Sequence, residues 1–188
     1  MPDERFADLA ATRVRLRRFQ PADLDAFVTY RSFAEVARYQ SWDAPYPRTA
    51  GEQLIAQMAA QDPDTPGQWF QFAVVLRATE ELIGDCAARP LPDDPLQVEI
   101  GFTIAPGHQG QGYATEAGGR LLAYLFRSRG KHRVTACCDP RNAASIGVLD
   151  RLGMRREGHL RESTWAKGEW TDDLLYGLLD REWRPSSR

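Results

Sequence analysis

The segment Ile100-Gly-Phe-Thr-Ile-Ala-Pro-Gly-His-Gln-Gly-Gln-Gly-Tyr-Ala-Thr-Glu116 indicates the end of a strand, a glycine-rich loop and the start of a helix. Gly107, Gly110 and Gly112 let the backbone turn sharply and let a ligand approach the main-chain amides closely. The first amides of a helix have no partner within it and carry the positive end of its dipole. The segment therefore predicts a cradle for a phosphate or pyrophosphate that needs no cluster of basic side chains.

Two common phosphate-binding patterns do not fit this loop. The chain has no G-x-x-x-x-G-K-[ST] string, and Thr115 stands where a G-x-G-x-x-G dinucleotide fingerprint needs its third glycine. The preceding strand also lies in mid-chain, not at the start of a doubly wound half. What remains is Gln109-x-x-Gly112-x-Ala114, and on these few residues a plain helix start after a glycine-rich turn stays an open alternative.

A second segment lies downstream, Asp139-Pro-Arg-Asn-Ala-Ala-Ser-Ile-Gly-Val-Leu-Asp-Arg-Leu-Gly-Met154, continuing to Gly158. It is similar to the Asn-x-x-Ser-x-x-x-Leu-x-x-x-Gly-Phe motif of the GNAT N-acetyltransferase superfamily, whose coenzyme A loop carries Gln-x-x-Gly-x-Ala. The strand opening at Glu99 and the Ala114-Thr-Glu helix start resemble its RimJ/RimL-like branch. The resemblance covers essentially the whole chain and is weakest over residues 32–68.

The hydrophobic pattern predicts one strand, two helices, three strands, a helix, a strand, a helix and a final hairpin. Val14 and Leu16 alternate with arginines as on a half-buried strand, and Thr49 is the predicted N-cap of the second helix. This order indicates the α+β class in a single domain, 1–188. The resemblance implies a three-layer α/β/α fold whose mixed, largely antiparallel sheet of about seven strands has a V-shaped split. A frayed tail is expected at 184–188.

Composition excludes several function classes. The 188 residues carry 24 Lys and Arg against 26 Asp and Glu, a net charge of −2, which gives no general attraction to nucleic acid or anionic membranes. No apolar run approaches the roughly 18 residues of a membrane span, and the N-terminus has no signal-peptide pattern. Three cysteines without metal-ligand spacing argue against a zinc site and favour a reducing compartment, so a cytoplasmic protein without a metal is expected.

The resemblance also implies roles for individual residues. Backbone groups of the strand would hold the acyl carbonyl, Asn142 would contact the pantetheine arm, and Ser145 would protonate the leaving thiolate. Asn142 is equally suited to cap a helix, and both roles are compatible. The expected cofactor-binding residues are Phe102, Thr103, Ile104, Gln109, Gly110, Gln111, Gly112, Tyr113, Ala114, Thr115, Asn142 and Ser145.

The general base is less clearly indicated. Glu99 is the first candidate, although an alternating strand also exposes such a carboxylate without any function. Some relatives place a carboxylate near the position of Thr164, and this chain has Glu162 two residues earlier, where strand alternation predicts the same strand face. Tyr176 is a further acid candidate, but its Leu-Leu-Tyr-Gly-Leu-Leu setting favours a core position. Gly147 replaces the Arg or other long polar residue of many relatives.

The resemblance thus implies an acetyl-CoA-dependent N-acetyltransferase that moves an acyl group to a primary amine by direct attack in a ternary complex. The acceptor is a protein N-terminal amine or a small-molecule amine. The resemblance implies that its pocket lies at the stretch Tyr39–Tyr46 with Trp165 and Trp170, and a role of these aromatic residues in capping the core is the alternative. A succinyl or other acyl donor, and a non-catalytic CoA-binding sensor, remain alternatives. A homodimer is left open.

Overall fold

An eight-stranded mixed sheet forms the centre of the computed structural model, which describes residues 8–184. The strand order is β1-β2-β3-β4-β5-β6-β8-β7, and all neighbours are antiparallel except β5 and β6. The strands are β1 Leu9–Ala10, β2 Val14–Arg17, β3 Phe70–Leu76, β4 Leu82–Pro90, β5 Gln97–Ile104, β6 Arg133–Cys138, β7 Arg155–Ala166 and β8 Glu169–Leu179.

Helices cover both faces of this sheet. α1 and α3 pack on each other and α1 packs on β4, whereas α4 packs on β2, β4 and β5 and is joined there by α5. These two layers with the sheet between them give the predicted α+β, three-layer architecture. The helices are α1 Leu24–Arg31, α2 Ala34–Ala37, α3 Arg48–Ala60, α4 Tyr113–Ala123 and α5 Ala143–Arg151, and α4 continues as a π-helical turn over Tyr124–Ser128.

The parallel pair β5 and β6 separates soon after it forms. Its register contains three pairs, Gln97 with Arg133, Val98 with Val134 and Glu99 with Thr135. Beyond Glu99, β5 continues along β4 while β6 continues along β8. The two strands therefore diverge and leave the expected V-shaped split, called here the gap, in the middle of the sheet.

Side-chain packing follows the predicted alternation. Val14 and Leu16 of β2 are fully buried, as are Phe70 and Phe72 of β3, and one continuous core joins the sheet to α1, α3 and α4. Tyr176 is also buried, which confirms its predicted core position. Within residues 8–184, no helix is long and apolar enough to cross a membrane.

Three details differ from the sequence-based predictions. The sheet has eight strands where about seven were expected, and the two-residue β1 is too short to show alternation. The helix α2 was not predicted either, because its four residues are too few to show a helical hydrophobic period. α3 begins at Arg48 after Pro47, which occupies the N-cap in extended conformation, so the predicted Thr49 cap is wrong. Proline fixes its own φ near the helical value, so the helix starts directly after Pro47 and Thr49 lies within its first turn. The predicted frayed tail lies almost wholly outside the described residues.

Candidate functional site

A cleft of about 650 Å³ opens on the α4 and α5 side of the gap. Its walls are the end of β5, the loop before α4, the first turn of α4, and one side of α5. Residues of α2 and the segment after it complete the wall opposite α5. The lining includes Phe102, Thr103, Ile104, Gln109, Gly110, Gly112, Tyr113, Ala114, Thr115, Asn142 and Ser145.

The loop before α4 presents a row of free backbone amides. In the described chain, the six amides from Gly110 to Thr115 donate to no protein acceptor, and the first bond of the helix runs from the Glu116 amide to the Gly112 carbonyl. Gly110 and Gly112 have φ of 73° and 83°, a left-handed conformation that other residues adopt with strain. The loop therefore has the geometry of a phosphate cradle at a helix N-terminus.

Arg13 of the neighbouring strand segment fixes this loop from behind. Its guanidinium donates to the Gln111 carbonyl at 3.1 Å and to Glu116 at 2.8 Å. Partial burial opposes ionisation of Glu116, but hydrogen bonds from Arg13 and from the Val14 amide hold the pKa of its carboxyl below the usual range. The first turn of α4 is thus tied to β2, which keeps the free amides directed into the cleft.

The two glutamines of the loop have structural roles. The Gln109 side chain donates to the Ile104 carbonyl at 2.8 Å, closing the end of β5, and the Gln111 side chain donates to the Gly107 carbonyl at 3.1 Å. Gln111 is not among the residues that line the cleft. His108 lines the cleft, and its buried Nδ1 has no hydrogen-bond partner among the described residues.

The edge of β5 faces the gap at Phe102. The Ala105 amide donates to Ile83 of β4, so alternation turns the backbone groups of Phe102 and Ile104 the other way. Gln109 already occupies the Ile104 carbonyl. The backbone groups of Phe102 and the Ile104 amide consequently remain open to a ligand on this edge.

Asn142 and Ser145 stand opposite that edge, at the start of α5. Asn142 is the N-cap, and its side-chain oxygen accepts the Ser145 amide at 3.1 Å, as the capping interpretation predicted. Both residues also line a second cavity of about 90 Å³ that lies within the gap, together with Phe102. This cavity continues the cleft toward the other face of the sheet, where Gly101 and Cys137 line it.

Two carboxylates lie near Cys137 on that other face. Glu99 forms an ion pair with Arg89, and it lines neither the cleft nor the small cavity. Asp173 accepts hydrogen bonds from Ser163 at 2.7 Å and Thr164 at 2.6 Å. Burial first, and then the hydrogen bond and charge of Asp173 and the charge of Glu99, raise the pKa of the Cys137 thiol to about 12.

A β-bulge separates the two β7 residues of interest. The register between β7 and β8 shifts between Leu160 and Thr164, and Glu162 within this bulge has φ of 46°. The bulge breaks the alternation, so the expectation that Glu162 and Thr164 share a strand face is wrong. The Glu162 amide donates to Asp172, while Thr164 contacts Asp173.

The aromatic stretch Tyr39–Tyr46 divides into two parts. Tyr39 and the following Gln40 line both cavities, whereas Trp42 and Tyr46 pack around the buried guanidinium of Arg31. The stretch is also fastened to the final hairpin, because Lys167 contacts the Trp42 carbonyl and Asp43.

Trp165 and Trp170 of that hairpin form an exposed cross-strand pair with ring centroids 5.5 Å apart, and they line neither cavity. Tyr39 and Gln40 are therefore the part of the predicted acceptor region that reaches the gap.

Among the predicted site residues, all but Glu99 and Gln111 line the cleft. Arg151 of α5 lines it too and was missed, although its place in the second motif, one helical turn after Gly147, was a usable signal. Tyr39 and Gln40 were not singled out within their stretch. In the part of the chain that the structure describes, no group of three or more His, Cys, Asp or Glu side chains is placed to hold a metal ion.

Comparison with known proteins gives consistent matches. Residues 13–155 match the model of the acetyltransferase (GNAT) domain. The uncharacterized N-acetyltransferase p20 of Bacillus licheniformis is 32% identical over 175 residues, covering 93% of this chain and 97% of that protein. The ribosomal protein uS5-alanine N-acetyltransferase of Escherichia coli is 33% identical over 86 residues, 46% of this chain and 44% of that protein.

Solved structures agree on the architecture. A GNAT-family acetyltransferase from Bacillus anthracis superposes with a TM-score of 0.83 at 28% identity, covering 94% of this chain and 100% of that one. RimJ of Mycobacterium smegmatis, solved with CoA-disulfide, gives 0.80 at 23% identity, covering 94% of this chain and 88% of that one. The second likeness concerns the fold alone.

Proposed function

Since this chain belongs to the GNAT acetyltransferase family, in its RimJ/RimL-like branch, and is an N-acetyltransferase, we propose that it transfers an acetyl group from acetyl-coenzyme A to a primary amine in the gap between β5 and β6. GNAT acetyltransferases use acetyl-CoA. The observation that carries the proposal is continuity: a cleft lined by five residues with free amides runs into a gap flanked by Phe102 and Ser145. The acceptor is a protein N-terminal amine or a small-molecule amine.

The cleft fits the cofactor in chemistry and in layout. Free amides at the start of α4 suit the pyrophosphate, and the orphaned His108 Nδ1 offers one further polar partner nearby. The apolar and polar lining between the cradle and the gap suits a pantetheine arm, with Asn142 at its side. The bound cofactor would supply an activated thioester; the chain's own residues would hold and orient it.

The backbone of β5 would polarise the acyl carbonyl. The free edge group of Phe102 is a preorganised donor in a partly enclosed site, and Thr103 and Ile104 fix the strand around it. Donors aimed at developing negative charge are the largest single contribution in many acyl transfers. Direct attack of the amine within a ternary complex then needs no covalent enzyme intermediate.

Ser145 would donate the proton that the leaving thiolate needs. Its side chain lines both cavities, and its amide is held by Asn142, so the first turn of α5 fixes its position. Ser145→Ala should therefore lower kcat more than it changes KM for acetyl-CoA. Unchanged kcat would remove Ser145 from the mechanism.

The proton acceptor has two candidates. Glu99 stays the proposed base, acting directly or through water, although it would have to take the proton while held by Arg89. Asp173 is the second candidate, because two neutral hydroxyls hold it and no Lys, Arg or His of residues 8–184 lies within 4 Å of its carboxylate. Glu99→Gln and Asp173→Asn separate them: the variant that loses the ascending limb of the pH–rate profile has lost the base.

The deciding experiment is an assay of CoA release with protein N-terminal peptides, polyamines, amino acids and aminoglycosides as acceptors. Acetyl-CoA and succinyl-CoA are compared as donors. Gly112→Glu should abolish CoA binding because it strains the left-handed turn and places negative charge at the cradle. Gly107→Ala, where a Cβ meets nothing within 4 Å, is the matched control. CoA binding without turnover on any acceptor would identify a sensor instead, and normal CoA binding by Gly112→Glu would overturn the cradle assignment.

A further inference from the structure

We propose that Arg151 binds a phosphate group of the nucleotide half of the cofactor, through a space that Gly147 leaves open. The proposal rests on the proposed function, because it takes coenzyme A as the ligand of the cleft. It adds a side-chain cation to a cradle that otherwise consists of backbone amides.

The position of Arg151 is the first observation. It lies at the end of α5 and lines the cleft. Its Nε donates to the Thr115 hydroxyl at 3.2 Å, and Thr115 is the last of the consecutive residues whose amides are free. The guanidinium therefore lies beside the positive end of α4, where an anion held by those amides would come within its reach.

The charge of the cleft is the second observation. Arg151 is the one Lys or Arg side chain among the cleft-lining residues in the range 8–184. Nearby arginines are occupied, since Arg13 pairs with Glu116 and Arg141 pairs with Asp139 and Glu169. No carboxylate of the described chain lies within 4 Å of Arg151, so its charge is available to a ligand.

Gly147 gives the third observation. A Cβ atom at this position would lie 3.2 Å from Arg151 Nη1 and 3.6 Å from Nη2. The guanidinium thus packs over the bare Cα of the residue one helical turn before it. Glycine within a helix is less favourable than alanine, and the space it provides for Arg151 explains its presence here.

The chemistry of arginine fits this assignment. A guanidinium offers several N–H donors in a planar fork that matches two phosphate oxygens, and charge-assisted hydrogen bonds of this kind are the stronger ones. The pyrophosphate and the 3′-phosphate of coenzyme A share this chemistry. The test below distinguishes them.

The experiment measures the Kd of CoA, 3′-dephospho-CoA and pantetheine by calorimetry for the wild type, Arg151→Gln and Arg155→Gln. Arg155 is the control because it is an exposed arginine of β7, outside the cleft, that pairs with Glu182. Arg151→Gln should weaken CoA binding by about 10- to 100-fold, as expected for a lost hydrogen bond to a charged group. Arg155→Gln should leave all three ligands unchanged, and pantetheine should bind equally to every form.

The pattern identifies the phosphate. Equal losses for CoA and 3′-dephospho-CoA assign Arg151 to the pyrophosphate, whereas a loss for CoA alone assigns it to the 3′-phosphate. An unchanged CoA affinity, or an equal loss for pantetheine, overturns the proposal. A wild type that binds none of the three refutes the proposed function itself, so the two failures are distinguishable.

Gly147→Ala supplies a second variant that keeps Arg151. The added Cβ should displace the guanidinium and weaken CoA binding, while the thermal midpoint of the free protein stays the same or rises because alanine favours the helix. Weaker binding together with undiminished stability is not expected of a general structural defect. Unchanged CoA affinity in this variant would refute the role given to the open space at Gly147.

Discussion

The Nη2 atom of Arg31 lies 3.3 Å from Asp85 Oδ2 in the interior of the protein, where both side chains are almost fully shielded from solvent. The Tyr30 hydroxyl donates to the same carboxylate oxygen at 2.5 Å. Above this pair, the Trp42 ring centroid lies 4.0 Å from the Arg31 guanidinium carbon. A buried ion pair thus supports the aromatic loop whose neighbour Tyr39 lines the gap.

Breaking this pair should destabilise the protein strongly. Asp85→Ala leaves the Arg31 charge buried without its partner, and the expected loss is about 3–5 kcal/mol of unfolding free energy. Urea unfolding measures it. Replacing both residues, as in Arg31→Met with Asp85→Leu, should cost clearly less than the sum of the single changes. A single variant within about 0.5 kcal/mol of wild type would contradict this account.

Gly84 of β4 is predicted to be intolerant of any side chain. A Cβ there would lie 2.1 Å from the Thr103 carbonyl oxygen, so β4 and β5 would have to move apart. Gly84→Ala should cost about 1–3 kcal/mol or more and weaken CoA binding, because Thr103 lines the cleft. Gly107→Ala serves as the control and should stay within about 0.5 kcal/mol. Equal stability of the two variants would show that the backbone contact is relieved at no cost.

Cys137 is predicted to be unreactive in the native protein although the residue is exposed at the surface. Partial burial of its thiol and the neighbouring Asp173 raise the pKa of Cys137 to about 12, and partial burial and nearby carboxylates raise the pKa of Cys138 to about 11. Very little of Cys137 is then thiolate at pH 8, and the thiolate is the reactive form. Ellman's reagent should react slowly in buffer and fast in denaturant. Asp173→Asn should speed the native reaction; ordinary thiol reactivity at pH 8.5 would refute the shift.

The ion pairs of Asp64 should make the unfolding free energy of the protein depend on pH. Burial opposes its ionisation, but Lys131, at 2.8 Å, and Arg129 hold the pKa of its carboxyl below the usual value. A lowered folded-state pKa means that the stabilisation is present above the unfolded pKa of about 3.9 and disappears as the pH falls through the folded value. The stability difference between wild type and Asp64→Asn should therefore be full at pH 6 and shrink below about pH 4.

Asp25→Asn provides the control for that measurement. Asp25 pairs with Arg48 at the surface, with 82% of its side chain exposed, and such pairs contribute little. This variant should match wild type at every pH. A difference for Asp64→Asn that stays constant down to pH 2 would show that lost packing, not the charge, causes it.

Local patterns explain why much of the fold could be predicted. A strand before the second motif and a final hairpin were predicted, and the structure has them at Arg133–Cys138, Arg155–Ala166 and Glu169–Leu179, since alternation and turn residues are local signals. The cradle is equally local, because a glycine-rich loop and a helix start suffice to define it. The Asn142 cap follows from the same kind of reasoning.

Long-range pairing explains what could not be predicted. Arg31 and Asp85 are 54 residues apart, and no sequence pattern predicts that an arginine will be buried beneath a loop. The Arg89 partner of Glu99 comes from the adjacent strand, and the bulge at Glu162 shifts a register that alternation alone would continue. Tertiary contacts place the residues on the acceptor side of the gap, and the sequence alone therefore could not predict their positions.

The short pairing of β5 with β6 determines the directions from which the two reactants can reach the site. The sheet is open where β5 and β6 diverge. Residues from both sides of the sheet, such as Leu149 and Cys137, therefore line the same small cavity. The nucleotide-bearing reactant and the amine can then arrive from opposite directions and leave the same way. Because the two reactants do not share an entrance, neither blocks the other, and steady-state kinetics should show no obligatory order of addition.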